Sequence, residues 1–321
     1  MRFWCALTLV ICFAAAPLSA GDKKDDPSQI GNRDASRGLN FYSLESEIAL
    51  GKQLAEEVER QSKILDDPII SEYVNRMGQN LVRNSDAKVP FTFKIVEADE
   101  VNAFALPGGY VFVNTGLIKM ADEESEFAGA LAHEIAHVAA RHMTRQASRS
   151  ELTQILTLPL SILLGGLPGI AVRQGANLAI PMTFLSFSRK DESEADYLGL
   201  QYMYAAGYDP TGAISIFEKM ESLERGNPNL ISKIFATHPM DADRIRNAEK
   251  EIQEILPPRP EYVVTTSMYH DIRARLMALQ SRHRLEPKDN RPHLRVGPRD
   301  PDGSGTDADS HPTIQRRHWS E

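Results

Sequence analysis

His133 and His137 stand four residues apart in the string His133-Glu134-Ile135-Ala136-His137. Two imidazoles at that spacing project from one face of a helix, where both ring nitrogens can reach a single Zn2+ at about 2.0–2.1 Å. Glu134, one residue on, points about 100° away around the axis. It is therefore read as a general base acting on a zinc-bound water, and the string as ligand, base, ligand. Such a string also arises by chance on a solvated helix face, so the chemistry requires a third ligand from another part of the chain.

One class of zinc proteases takes that ligand from a His six residues on, after a Gly. Here those positions are Ala140 and Met143, which excludes that arrangement. His142 lies five residues past His137, off the ligand face, and is read as helix-end charge or as support for the site. A two-His, one-carboxylate site needs an acid on a second helix. The run Ser188-Arg-Lys-Asp191-Glu192-Ser-Glu194-Ala-Asp196 supplies candidates. Glu192 and Asp196 are i and i+4 and share a face, whereas Glu194 points away. The expectation is Glu192 as third ligand, with Asp196 accepting the free N–H of a ligand His. The competing reading of the acidic run alone is an ordinary solvated helix face.

Several elements must position these groups. The segment around the paired histidines reads as a helix: Asp122 can cap it, Glu123, Glu124 and Glu126 suit its positive end, and Arg141, His142 and Arg145 suit its far end. Phe127, Leu131, Ile135 and Val138 form an apolar stripe for a core. The acidic run opens another helix, with Ser188 as cap and Gly207 and Pro210 as stop. Earlier helices are expected from Ser43 to about Ser62 and after Asp67-Pro68. Strands are expected at Phe91–Glu97 and Tyr110–Asn114, the second following the Pro107-Gly108-Gly109 turn. Helical patterns then run to about Leu256. The predicted fold is α+β, mostly α, with a small sheet.

The chain has 321 residues, 36 Lys and Arg against 44 Asp and Glu, a formal charge of −8, and 42% hydrophobic residues. That is ordinary globular composition. Its mild acidity gives no electrostatic footprint for nucleic acid. Both cysteines, Cys5 and Cys12, fall in residues 1–20, where Arg2, an apolar run and a small-residue stretch read as a cleavable signal peptide. The mature chain would then lack cysteine, and its expected location is the periplasm. Residues 21–42 read as a flexible linker, 43–256 as the metallopeptidase domain, 257–286 as a segment packing back on the core, and 287–321 as a disordered tail. Leu152–Val172 is the most apolar stretch of the mature chain, but Pro159, Gly165-Gly166 and Pro168 interrupt it. It reads as a buried or cleft-covering excursion, with peripheral contact at a membrane surface as the alternative.

Four separated motifs in order carry a family resemblance. They are Asn102-Ala-Phe-Ala-x-Pro107-Gly-Gly-Tyr-Val-Phe-Val, His133-Glu134-x-x-His137, Ser-Arg-x-x-Glu192-x-x-Ala-Asp196, and Thr237-His238-Pro239 followed by Arg244. Over about residues 43–256 the chain resembles the gluzincin metallopeptidases that include HtpX, the zinc-type CaaX prenyl protease and the BepA-like enzymes. The resemblance implies a zincin-like core, one Zn2+ per chain, and an endopeptidase acting on unfolded or misassembled envelope proteins. It also makes His238 a candidate regulatory fourth ligand, and His238 or Arg244 a candidate oxyanion stabiliser. Membrane-embedded members carry transmembrane helices and BepA-like members a helical repeat domain. This chain shows neither, so a minimal soluble periplasmic form is expected. The strand Tyr110, Val111, Phe112, Val113 is either an exposed edge that binds extended substrate or an ordinary core strand. The alternative function is a chaperone or assembly factor that binds unfolded chains, with proteolysis secondary.

Overall fold

A computed structural model describes residues 26–157, 186–231, 234, 237–239 and 242–285. The expected signal peptide, most of the apolar stretch from Leu152 to Val172 and the expected tail lie outside the described residues. Among those described, no helix is long and apolar enough to cross a membrane.

Helix α1 (Leu44–Gln61) starts where Ser43 accepts the Ser46 N–H, and α2 (Pro68–Arg83) where Asp67 accepts the Ile70 N–H. Both are the caps that the sequence offers. Strands β1 (Thr92–Val96), β2 (Ala103–Leu106) and β3 (Tyr110–Asn114) follow, then α3 (Thr115–Met120). The sheet order is β1-β3-β2, with β1 parallel and β2 antiparallel to β3. The β2–β3 turn places Gly108 at φ 72° and Gly109 at φ 91°. A Cβ on Gly108 would lie 2.5 Å from the Ile48 Cα, so only glycine lets α1 close over this turn.

Two expectations need correction here. Tyr110–Val113 is not a sheet edge: β3 is the middle strand, paired on both sides, with Val111, Phe112 and Val113 at 1% exposure or less. The outer strand beside the paired histidines is β2, which went unread as a strand because Ala-Phe-Ala-Leu is too short and too alanine-rich to show a β pattern. The second correction concerns the helix of the paired histidines. Helix α4 (Glu124–Ala139) stops at Ala140, and α5 (His142–Thr157) begins after Arg141, which adopts φ 57°. No glycine marks the break, so Arg141, His142 and Arg145 read as the tail of one helix when Arg141 is the break itself and His142 and Arg145 belong to the next. Nor does Asp122 cap α4: Glu126 accepts the backbone N–H groups of Asp122 and Glu123, while the Asp122 carboxylate pairs with Lys219 and Arg273.

Helices α6 (Arg189–Ala206) and α7 (Thr211–Gly226) flank α4, and α2 and β2 also pack on it. Helix α4 is thereby enclosed, with Phe127, Leu131 and Ile135 fully buried and Val138 9% exposed. Gly199 in α6 permits close approach: a Cβ there would sit 3.3 Å from the His133 backbone nitrogen. Helix α8 (Ala242–Ile255) lies against α6 and α7. Helix α9 (Ser267–Leu285) buries Tyr269, Ile272 and Leu276.

Residues 26–42 contrast with the flexible linker expected from their composition. Arg33 is 4% exposed and donates to Asp86 at 2.8 Å and to Gln201 at 2.7 Å; the Phe41 N–H donates to Ser148 Oγ. A few buried polar anchors order a segment that lacks apolar periodicity.

Candidate active site

The histidines of α4, the carboxylate of α6 and His238 converge on one point. Nε2 of His133 and Nε2 of His137 are 3.0 Å apart. Glu192 reaches each of them at 3.4 Å, one through Oε2 and the other through Oε1. Nδ1 of His238 lies 3.3 Å from His133 Nε2 and 3.0 Å from Glu192 Oε1. All four residues are buried and offer ligand atoms within 4.8 Å of one another. Four donors set tetrahedrally around an ion at about 2.0–2.1 Å would be separated by about 3.3–3.4 Å, and the 3.0–3.4 Å spacings here are close to that. Two imidazoles and a carboxylate are also the donor set that zinc takes.

Charge sets each group's protonation. Burial holds the His137 imidazole well below its usual value, so it is neutral and offers a lone pair. Burial also acts against a cationic His133, but Asp196 and Glu192 outweigh it and push its pKa up to about 10. Burial raises the Glu192 carboxyl, yet the surrounding His238, His133 and His137 hold it far below the usual range.

Glu134 behaves differently. Burial pushes its pKa up despite the lowering influence of His238 and His133. Its Oε1 lies 3.4 Å from His238 Nε2, the Ala105 N–H of β2 bonds to the carboxylate, and Oε2 is buried with no hydrogen-bond partner. Two carboxylates with pKa values driven apart are the usual arrangement of a base beside a ligand.

Behind His133, Asp196 Oδ1 lies 2.9 Å from Nδ1. Arg244 grips that carboxylate with two bonds of 2.7 and 2.6 Å and reaches Glu192 at 3.0 Å and the Pro239 carbonyl at 3.2 Å. With its guanidinium committed to these groups, Arg244 does not fit the expected role of oxyanion stabiliser. It orders the acids that surround the histidines. Sequence reasoning missed Phe187, whose ring stacks on His137 at 3.9 Å and which carried no spacing signal. His142, read as helix-end charge or as support for the site, opens the next helix with its Nδ1 3.0 Å from Nδ1 of His137.

A cleft, part of its roughly 390 Å3 open to solvent, lies beside His133, Glu134, His238 and Arg244, walled by apolar side chains that include Leu117, Phe217, Met220 and Ile234. A second, of about 280 Å3, lies on the His137 side next to Leu106, Met143 and Phe187. The strand β2 runs between them, contributing Ala103 to one and Ala105 and Leu106 to the other.

Comparison with known proteins agrees with this geometry. The chain is 29% identical over 244 residues to the beta-barrel assembly-enhancing protease of Escherichia coli (strain K12), covering 74% of this chain and 49% of that one. It is 31% identical over 255 residues to the protein of the same name from Yersinia pestis, covering 75% and 51%. It thus spans about half the length of these two relatives. It is also 28% identical over 243 residues to the metalloprotease LoiP of Escherichia coli (strain K12), covering 74% of this chain and 94% of that one. The model of peptidase family M48 matches residues 68–252, a span that holds the α4 histidines, Glu192, His238 and Arg244. The chain belongs to peptidase family M48, a family of zinc metallopeptidases.

Proposed function

We propose that this chain is a zinc-dependent endopeptidase of the bacterial envelope that hydrolyses peptide bonds in unfolded or misassembled proteins. The observation that carries the reading is the convergence of His133, His137 and Glu192 at zinc-site spacing, with the elevated carboxyl of Glu134 beside them. Support for the substrate class comes from the relatives named for β-barrel assembly. Support for an exported location is the leader-like pattern of residues 1–20.

His133, His137 and Glu192 would hold the ion, and His238 would complete the set in a resting state, a reading supported by its nearness to the other three. Zinc, when bound, supplies Lewis acidity that acidifies water and polarises the scissile carbonyl. Glu134 accepts the proton of the attacking water on its open oxygen and returns it to the leaving amine, a role suited by a pKa raised above that of an ordinary carboxyl. Extended substrate would pair with the main chain of β2 rather than β3, because β2 is the outer strand and runs past Glu134. The apolar cavity beside the base would take one large hydrophobic side chain of the substrate.

The test is Glu134→Gln in the purified chain. Casein cleavage should fall by about 10^2–10^4 with zinc content unchanged. Cleavage at the wild-type rate would remove Glu134 from the mechanism. Full biological activity without cleavage would favour the chaperone function instead.

A further inference from the structure

The imidazole of His137 turns Nε2 toward the ligand cluster, and its other nitrogen is also engaged. Nδ1 of His137 lies 3.0 Å from Nδ1 of His142, the first residue of α5. Nε2 of His142 lies 3.2 Å from Oε2 of Glu194, which accepts a further bond from Arg145 Nη1 at 3.1 Å. His142 has no exposed surface, so water does not compete for either ring nitrogen. Glu194 is two residues from Glu192 on α6 and therefore points to a different side, toward α5.

The proton inventory of this chain of three groups has one consistent solution. When the Nε2 lone pair of His137 is given to an ion, its ring proton resides on Nδ1 and must be donated. His142 then accepts through Nδ1, which makes it neutral with its proton on Nε2, and that proton is donated to the Glu194 carboxylate. A doubly protonated His142 would set N–H against N–H across 3.0 Å.

We propose that His142, anchored by Glu194, is a positioning residue that fixes the tautomer and ring plane of His137 and so sets the zinc affinity of the site. This rests on the metal-site reading above. It assigns work to a histidine outside the His-Glu-x-x-His string, on a separate helix, and to Glu194, an acid of the Asp191–Asp196 run that faces away from the cluster. Partners that orient metal-bound imidazoles typically contribute about 10–100-fold to affinity.

The test is the zinc dissociation constant, measured by competition with a chromophoric chelator, alongside the melting temperature of the metal-free chain and the visible spectrum of the cobalt form. His142→Phe keeps the ring but removes the acceptor. It should weaken zinc about 10–100-fold and shift the cobalt bands, with the metal-free melting temperature little changed. His142→Asn keeps an acceptor oxygen where Nδ1 was and should recover most of the affinity. Glu194→Ala, made at the outer end of the relay, should cost about three- to tenfold even if the Phe variant fails to fold. The proposal is overturned if the variants bind zinc as tightly as wild type. It is also overturned if Phe and Asn lose affinity equally along with metal-free stability, which marks packing alone. Failure of the underlying site looks different: His137→Ala would then bind zinc like wild type, or wild type would bind none.

Discussion

His133 and His137 offer the same atom to the same point, yet the groups behind them carry opposite charge logic. His133 is backed by Asp196, an anion locked by two bonds to Arg244, and its imidazole favours the protonated form up to about pH 10 in the absence of an ion. His137 is backed by the ring of His142 and stacked against Phe187, and its imidazole is held neutral. The difference shows how one buried site reconciles two requirements. A carboxylate partner makes a histidine a stronger donor but also a stronger base, so protons compete with the ion. A neutral partner fixes orientation without raising that competition.

The sharpest way to break the comparison is at Asp196. Asp196→Ala removes the anion from behind His133 and leaves Arg244, 6% exposed, facing Glu192 without its bidentate partner. Losing one member of a buried pair typically costs about 3–5 kcal/mol, and the loss should appear in urea unfolding of the metal-free chain together with a fall in zinc affinity near the upper end of 10–100-fold. The His137 side, tested through Glu194→Ala, should lose less affinity and little stability. Equal losses on the two sides would erase the distinction.

A smaller effect is expected at Glu251, on α8 two turns from Arg244. Burial, and then the nearby charge of Asp196, push its pKa up to about 7, and its Oε2 has no hydrogen-bond partner. Between the ordinary carboxyl value of 4.5 and about 7 the folded state keeps a proton that the unfolded state has released. Stability therefore declines as pH rises through that window, and the penalty is complete above it. Glu251→Gln should stabilise the chain at pH 8 by about 1 kcal/mol once partial exposure is discounted, and not at all at pH 4. Chemical denaturation at the two pH values checks the sign. The smallest effect belongs to Arg246, two residues from Arg244 but paired with Asp243 in solvent. Arg246→Ala should leave the melting temperature and zinc affinity unchanged, because exposed pairs contribute little.

How far the sequence foretold these features depends on where the signal resides. The caps at Ser43, Asp67 and Ser188, the apolar stripe from Phe127 to Val138, and the spacing of the paired histidines are local, and local patterns survive folding. The chain also places Glu192 and Asp196 on a shared face, and the structure brings both to the α4 histidines. Illegible features depend on non-local partners. Whether Tyr110–Asn114 is central or outer is decided by β2, four residues with no β pattern of their own. The break at Arg141 relies on a positive φ at a residue that does not advertise one, and the order in residues 26–42 rests on Arg33 meeting Asp86 and Gln201, far along the chain.

The central claim is that one ion is held jointly by α4 and α6. Zinc retained per chain, measured by mass spectrometry after dialysis against a graded chelator, tests it most directly in wild type and Glu192→Ala. Wild type should hold one equivalent, and the variant should lose it at chelator concentrations that wild type withstands, with the helical circular dichroism of both preserved. Equal retention by the two proteins, or no zinc in wild type, would contradict the account.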